Sequence, residues 1–381
     1  MKKLNLISGA IALLLASGLA SSCDDADEGI RYSKTVFPVG EAVWRSDVSS
    51  ADREVITNLI NNMVRVEACQ FYMGAQGKST KRANYFSSFT SRDTLWLDRT
   101  NNTTYWRDLK SADTIWYNVA DYHFLDSVKT KKDTTLYATI YRNGFAWVGP
   151  VTEISMPEYY IGKFEITQGE WEAVMHQNPT GHYSIIEGKD PEPWYDEIGK
   201  GDDIAAYNIW YDDALAFCDT LRAKTGLNFR LPTEAEWECA ARGGRYCHGY
   251  RYPGSDSYSD AGWVYSNSAA NKLGYDDYGV HAGGEKLANE LGLYDMCGNV
   301  SEWVSNAYYH YGATDSINPA GKAVLHDGQD TLVLRGGSWM QKKYADFCSA
   351  NRKCCIMSSY SSEESLQSAF VNCGFRLCIS R

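Results

Sequence analysis

Helical spacing of apolar positions occurs in only a few stretches of this chain, and each stretch carries its own start and stop signals. Ser50-Ala51-Asp52-Arg53-Glu54 opens a short helix with an acidic first turn, and Asn61-Asn62 ends it. Thr167-Gln168-Gly169-Glu170 has the spacing of a capping box, with Trp171, Val174 and Met175 on one apolar face and Asn178-Pro179 as the stop. Ala214, Phe217, Cys218 and Leu221 follow the i, i+3, i+4, i+7 pattern of a third helix that halts at Gly226. A fourth begins at Thr233-Glu234-Ala235-Glu236, again a capping box, behind Pro232, and ends at Gly243-Gly244.

Period-two alternation fills other parts. Met63-Val64-Arg65-Val66-Glu67 and Phe71-Tyr72-Met73-Gly74 read as strands. Residues 77–150 carry β-branched and aromatic runs between polar turns, at 93–97, 103–106, 113–117 and 133–137, which predicts antiparallel hairpins. Residues 24 to about 48 show no periodicity and predict a tether. Few helices among many short strands point to an α+β protein.

Composition sharpens this. Hydrophobic residues make up 44% of 381 and charged residues 22%, so a packed core is expected. The formal net charge of −11 leaves no basic face for a phosphate backbone, and nucleic acid is not an expected partner. The N-terminus reads as an export signal: Lys2-Lys3, an apolar run from Ile7 to Leu19, then small residues leading to Cys23. Leu19-Ala20-Ser21-Ser22-Cys23 resembles a bacterial lipobox, with Leu four residues before the cysteine instead of three. Cleavage there predicts a signal peptide over 1–22 and a diacylated Cys23 that holds the chain on a membrane. The acidic run Asp24-Asp25-Ala26-Asp27-Glu28 resembles the signal that sends lipoproteins of Bacteroidetes-type bacteria to the surface of the outer membrane. The expected organisation is a signal peptide, a lipidated tether with a short helix over 23–61, and one domain over 62–381 with an insertion at 77–150.

Ten cysteines remain after Cys23, with no Cys-x-x-Cys pair, so a structural zinc site is not expected, and Cys218 and Cys378 sit in apolar surroundings. The seven histidines form no metal-binding pattern, and no nucleophile elbow or phosphate loop occurs.

Several stretches carry a resemblance: residues 159–168, Phe229-Arg230-Leu231-Pro232-Thr233-Glu234-Ala235-Glu236-Trp237-Glu238, residues 289–300, Leu334-Arg335-Gly336-Gly337-Ser338-Trp339 and Gly374-Phe375-Arg376-Leu377. In this order the chain resembles the formylglycine-generating enzyme, or sulfatase-modifying factor, family. The resemblance covers roughly 63–76 and 150–381 and implies an elaborated C-type-lectin-like fold. Asp295 and Glu302 flank Gly298 at a spacing that offers hard oxygen ligands to Ca²⁺. The resemblance implies a calcium loop using the Asp295 side chain, the carbonyls at Gly298 and Val300, and the Glu302 carboxylate. It places a second calcium site near Asn267 and Asp276 or Asp277.

The catalytic signature departs from the family. Active members hold a thiol two positions after the aromatic that follows Arg-Gly-Gly-Ser, and another five residues later; the two thiolates bind Cu(I) as soft ligands. This chain has Ser338, Trp339 and Met340, then Gln341 at the first thiol position and Asp346 at the second, with Cys348 as the next cysteine. Ser338, Trp339 and Gln341 line the implied cleft. Copper is not expected, and the reading that follows is a non-catalytic binding or assembly module for a protein or glycan ligand. The competing reading is a metal-dependent oxidase acting on protein cysteine.

Overall fold

The computed structural model describes residues 31–74, 152–180, 192–250, 252–268, 277–307, 331–341, 349 and 372–380, and the backbone of strands in between. The expected signal peptide, Cys23, Asp276 and Cys348 lie outside these residues.

In chain order the elements are β1 (Tyr32–Phe37), β2 (Gly40–Arg45), α1 (Ser50–Asn61), β3 (Met63–Val66), β4 (Cys69–Met73), β5 (Phe89–Asp98), β6 (Thr103–Arg107), β7 (Thr114–Trp116), β8 (Val128–Lys131), β9 (Thr135–Arg142), β10 (Thr152–Met156) and β11 (Tyr159–Gly162). Then follow α2 (Gln168–Met175), α3 (Tyr211–Thr225), α4 (Glu234–Ala241), α5 (Tyr258–Ala261), β12 (Ser301–Ala307), β13 (Lys322–Ala323), β14 (Thr331–Arg335), β15 (Lys353–Ile356), β16 (Cys373–Gly374) and β17 (Cys378–Ile379).

The capping boxes form as the sequence predicts. Thr167 and Thr233 each accept a backbone N–H from the third helical residue, and Glu170 and Glu236 reach back to the cap N–H. These bonds satisfy orphan donors of the first turn. α3 ends at Gly226 with φ +69°, and α1 occupies its expected span, with Ser49 as its N-cap. α2 stops at His176 in the left-handed region, ahead of Asn178-Pro179.

One sequence expectation is overturned. Residues 32–45 are not a tether but an antiparallel hairpin, β1 with β2, that belongs to the main core. Phe37, Val39, Ala42 and Trp44 are buried. A Cβ at Gly40 would lie 3.1 Å from Leu227, and one at Gly226 3.6 Å from Val43, so the hairpin packs at the end of α3.

β3, β11 and β17 form one sheet, and β4 pairs with β10 in antiparallel register, Met73 opposite Thr152. The chain between β4 and β10 carries its own antiparallel sheet in the order β7-β6-β5-β9-β8. Residues before and after the insertion are thus parts of one fold. The site is positioned by the last sheet, in which β12 pairs with β14 and, in parallel, with β16.

Candidate functional site

The turn from Asp295 into β12 brings the predicted residues together, but it pairs them differently from the reading of the sequence. Asp295 and Asn299 hold φ values of +55° and +49°, and Gly298 +84°. A Cβ at Gly298 would fall 2.0 Å from the Trp263 carbonyl oxygen, so only glycine fits against that backbone. Asn299 organises the turn. Its Oδ1 accepts from the His281 N–H at 3.0 Å, and its Nδ2 donates to Glu165 Oε2 at 2.6 Å. Its backbone N–H donates to the Trp263 carbonyl, and its carbonyl accepts from the Trp339 N–H. Glu165 also accepts from the Val300 N–H at 3.1 Å.

Glu302, at the start of β12, is fully buried and clamped. Arg376 Nε donates to Oε2 at 2.6 Å and Nη2 to Oε1 at 2.8 Å, while Trp237 Nε1 donates to Oε2 at 2.8 Å. The carboxylate therefore differs from the free ligand the resemblance implies, because a bidentate ion pair already neutralises it. Arg376 also donates to the carbonyls of Gly162 and Tyr294, which ties β11 and the turn to the C-terminal segment.

Asp295 is different. Its Oδ2 accepts from the Gly284 N–H at 2.9 Å, while its Oδ1 is buried and has no hydrogen-bond partner. Burial pushes its carboxyl up to about 6, with Glu302 adding to the rise. Glu165 is raised as well, first by burial and then by Asp295 and Glu302. Three buried carboxylates thus share one guanidinium, and Arg376 stays charged in spite of its burial because Glu302, Glu165 and Asp295 surround it. An orphaned carboxylate oxygen beside excess negative charge suits a hard cation. No three His, Cys, Asp or Glu side chains among the described residues are placed to hold a metal ion by themselves, so a cation here would draw on backbone carbonyls. Asn267, named for the second calcium site, spends its side chain on a turn: Oδ1 accepts from the Val264 N–H, and Nδ2 donates to the carbonyls of Ser259 and Gly262.

Beside this turn lies the loop of residues 336–341. Gly336 takes φ +82°, and its carbonyl accepts from the Gly298 N–H, which locks the two loops together. Ser338 and Trp339 are buried. Asn372 Nδ2 donates to Ser338 Oγ at 2.5 Å, and the Trp339 ring meets Tyr278 edge-on at 5.1 Å. Gln341 turns its amide back into the loop, where Oε1 accepts from the Ser338 N–H at 3.1 Å. The side chain at the first thiol position is thus a loop brace.

Aromatic and cationic groups stand nearby. Trp263 stacks on His281 with ring centroids 3.6 Å apart, and the Lys286 ammonium lies 3.6 Å from the Trp263 ring centre. Burial lowers His281 to about 4. Trp263 Nε1, His281 Nδ1, Trp339 Nε1 and Asn372 Oδ1 are buried without partners, an uncommon concentration for a folded interior. A separate groove of about 640 Å³ between α1 and α2 is lined by Asp52, Glu170, Asp202 and Asp203. Its Glu170 serves the capping box, so that carboxylate is committed to the helix.

Sequence reasoning does not single out Glu165, Asn299, Asn372 or Arg376 as site residues. Glu165, Asn299 and Arg376 fall inside the motif stretches, but nothing in the spacing links residues 134 and 74 positions apart to one turn.

Residues 123–381 match the sulfatase-modifying factor enzyme 1-like domain. The chain is 31% identical over 184 residues to chaperone protein LppX of Paenibacillus barcinonensis, covering 41% of this chain and 65% of that relative. It is 26% identical over 271 residues to the formylglycine-generating enzyme of Bos taurus, covering 60% of this chain and 67% of the enzyme. Its chain path follows the structure of PvdO from Pseudomonas aeruginosa with a TM-score of 0.51 and 19% identity, over 84% of this chain and 94% of that one, which supports the fold alone. The family match over most of the chain makes this protein a member of the sulfatase-modifying factor enzyme 1-like family.

Proposed function

We propose that this chain is an exported, lipid-anchored binding or assembly module that uses the family cleft to hold a protein or glycan without oxidising it. The observation that carries the reading is Gln341. At the position where active members place a thiol, a hard amide bonds to the Ser338 N–H, and Asp346 occupies the second position. Neither side chain supplies the soft donor that Cu(I) requires, and neither forms a mixed disulfide with a substrate cysteine. Similarity to a relative named as a chaperone agrees with a role in holding another protein.

A structural Ca²⁺ centred on Asp295 Oδ1 and the carbonyls of Gly298 and Val300 belongs to the same proposal. The unpaired oxygen and the surplus of buried carboxylates support it. Bound there, the ion would offset that charge and fix the turn that carries Asn299.

One experiment with two arms tests the function. The purified chain is incubated with a Cys-x-Pro-x-Arg peptide, Cu(I) and oxygen, and the peptide is weighed by mass spectrometry; the cysteine is expected to survive. In the second arm, membranes from cells expressing the wild type, Cys23→Ala or Trp339→Ala are cross-linked and the adducts identified. The wild type is expected in the membrane fraction with one dominant adduct, Cys23→Ala in the soluble fraction, and Trp339→Ala without the adduct. Multiple-turnover aldehyde formation would overturn the non-catalytic reading, and membrane retention of Cys23→Ala the anchor.

A further inference from the structure

Away from the cleft, two thiols face each other at the root of the insertion. Cys69 opens β4, and Cys239 sits near the end of α4, with their sulfurs 3.6 Å apart across a loop of 170 residues. We propose that Cys69 and Cys239 form a disulfide that staples β4, and with it the stem of the inserted sheet, to α4.

The surroundings favour a reaction at this pair. Cys69 is half-buried and open to a reagent, while Cys239 is buried directly behind it. A sulfur hydrogen bond joins them, and that bond lowers Cys69 to about 7, with the Arg245 guanidinium adding to the effect. Cys239 is raised, first by the same hydrogen bond and then by burial. The outer sulfur is therefore the nucleophile and the inner one the resolving thiol. The chemistry needs a disulfide oxidant, either a small-molecule disulfide or an oxidoreductase disulfide. The Cys69 thiolate attacks one sulfur of that oxidant, breaking its S–S bond and releasing one thiolate. Cys239 then loses its proton and attacks Cys69 Sγ, forming the internal S–S bond and expelling the second thiol. Two electrons and two protons pass from the dithiol to the oxidant.

The fold shows what the bond would secure. β4 leads into the insertion, and β10 returns from it as the antiparallel partner of β4. α4 already grips the far end of β4: the Gly74 N–H donates to Glu238 Oε1 at 2.8 Å, and Arg242 Nη2 donates to the Gly74 carbonyl at 2.7 Å. A bond at Cys69 would fix the near end to the same helix, so the stem would be held at both ends. Closing so long a loop also restricts the unfolded chain.

The test uses the full chain equilibrated with glutathione at graded ratios of disulfide to thiol, acid-quenched, alkylated and digested. A peptide pair linked through Cys69 and Cys239 is expected under oxidising ratios, with protection of those two thiols from alkylation. Oxidation is expected to raise the melting temperature of the wild type but not of Cys69→Ser, in which Cys239 stays alkylatable after denaturation. Because position 69 is only half-buried, this variant is the one suited to fold, and its reduced melting curve checks that it does. Two free thiols at the most oxidising ratio, or glutathione held on Cys69 without transfer to Cys239, would overturn the proposal.

Discussion

Asp295 carries a consequence that its sequence neighbours hide. It is buried in a left-handed turn with one oxygen unpaired, and its carboxyl titrates near 6 instead of the ordinary 3.8. A raised carboxyl holds its proton in the native state over a range where the unfolded chain has released it. Its contribution to stability is therefore fully present below about pH 4 and is lost as pH rises through about 6, a loss of roughly 2–3 kcal/mol by neutral pH when no cation is bound. Asp295→Asn removes that loss. In chelator, the variant is expected to be more stable than the wild type at about pH 7.5 and to decline less between about pH 4 and 6, where the buried Glu165 and Glu170 still contribute. Calcium should restore the wild type at neutral pH and leave the variant unchanged. Denaturant melts across pH, with calcium and with chelator, check both halves. A wild type indifferent to calcium, with a variant weaker than it in chelator, would show that the unpaired oxygen serves no cation.

At the scale of elements, the sequence is legible where local chemistry decides the outcome. The two Thr-x-x-Glu boxes and the Gly226 stop are backbone requirements met within one turn, so they can be read without knowing the fold. α4 shows the limit. Its Glu236 reads as a cap, yet it also pairs with Arg230 at 2.7 Å, and its Glu238 pairs with Arg242 and Arg335. Those partners come from outside the helix or from its end, and no periodicity announces them. The β1–β2 hairpin escapes sequence reasoning for a related cause. Most of β1 is exposed or half-exposed, with only Phe37 fully buried, so the strand shows little alternation beside the acidic run that precedes it. Trp44 makes the hairpin part of the core: it is fully buried, meets Phe37 edge-on, lies 4.7 Å beneath the Arg53 guanidinium and donates from Nε1 to Thr35 Oγ1. Trp44→Ala should cost roughly 3–5 kcal/mol, the usual penalty for emptying a buried aromatic site. Denaturant midpoints measure it. A cost below about 1 kcal/mol would return residues 32–45 to the role of a tether.

At the scale of the molecule, the order of strands separates what the family fold requires from what this chain adds. The family match begins at residue 123, inside the insertion, yet β3 pairs with β11 and β4 with β10 across it, so residues 63–73 are built into the same fold. Among the described strands, those of the insertion pair only with one another. Its two ends emerge side by side, since Met73 and Thr152 are opposite residues of an antiparallel pair, about 5 Å apart. A short turn can therefore replace everything between them. Residues 75–151 exchanged for a linker of about four Gly and Ser residues should leave β4 and β10 paired. Met73 and Ile154 remain buried against α4 and its neighbours, and Gly74 remains held by Glu238 and Arg242. Closing a shorter loop costs less chain entropy, which offsets whatever packing the inserted sheet supplies. The shortened chain is expected to unfold cooperatively, with a near-ultraviolet circular dichroism spectrum retaining the signals of buried Trp171, Trp237, Trp303 and Trp339. If the family fold alone binds the ligand, the cross-linked adduct persists in the shortened chain. Loss of the adduct with the fold intact would move the binding surface onto the inserted sheet. A soluble but non-cooperative product would instead show that this sheet is part of the core.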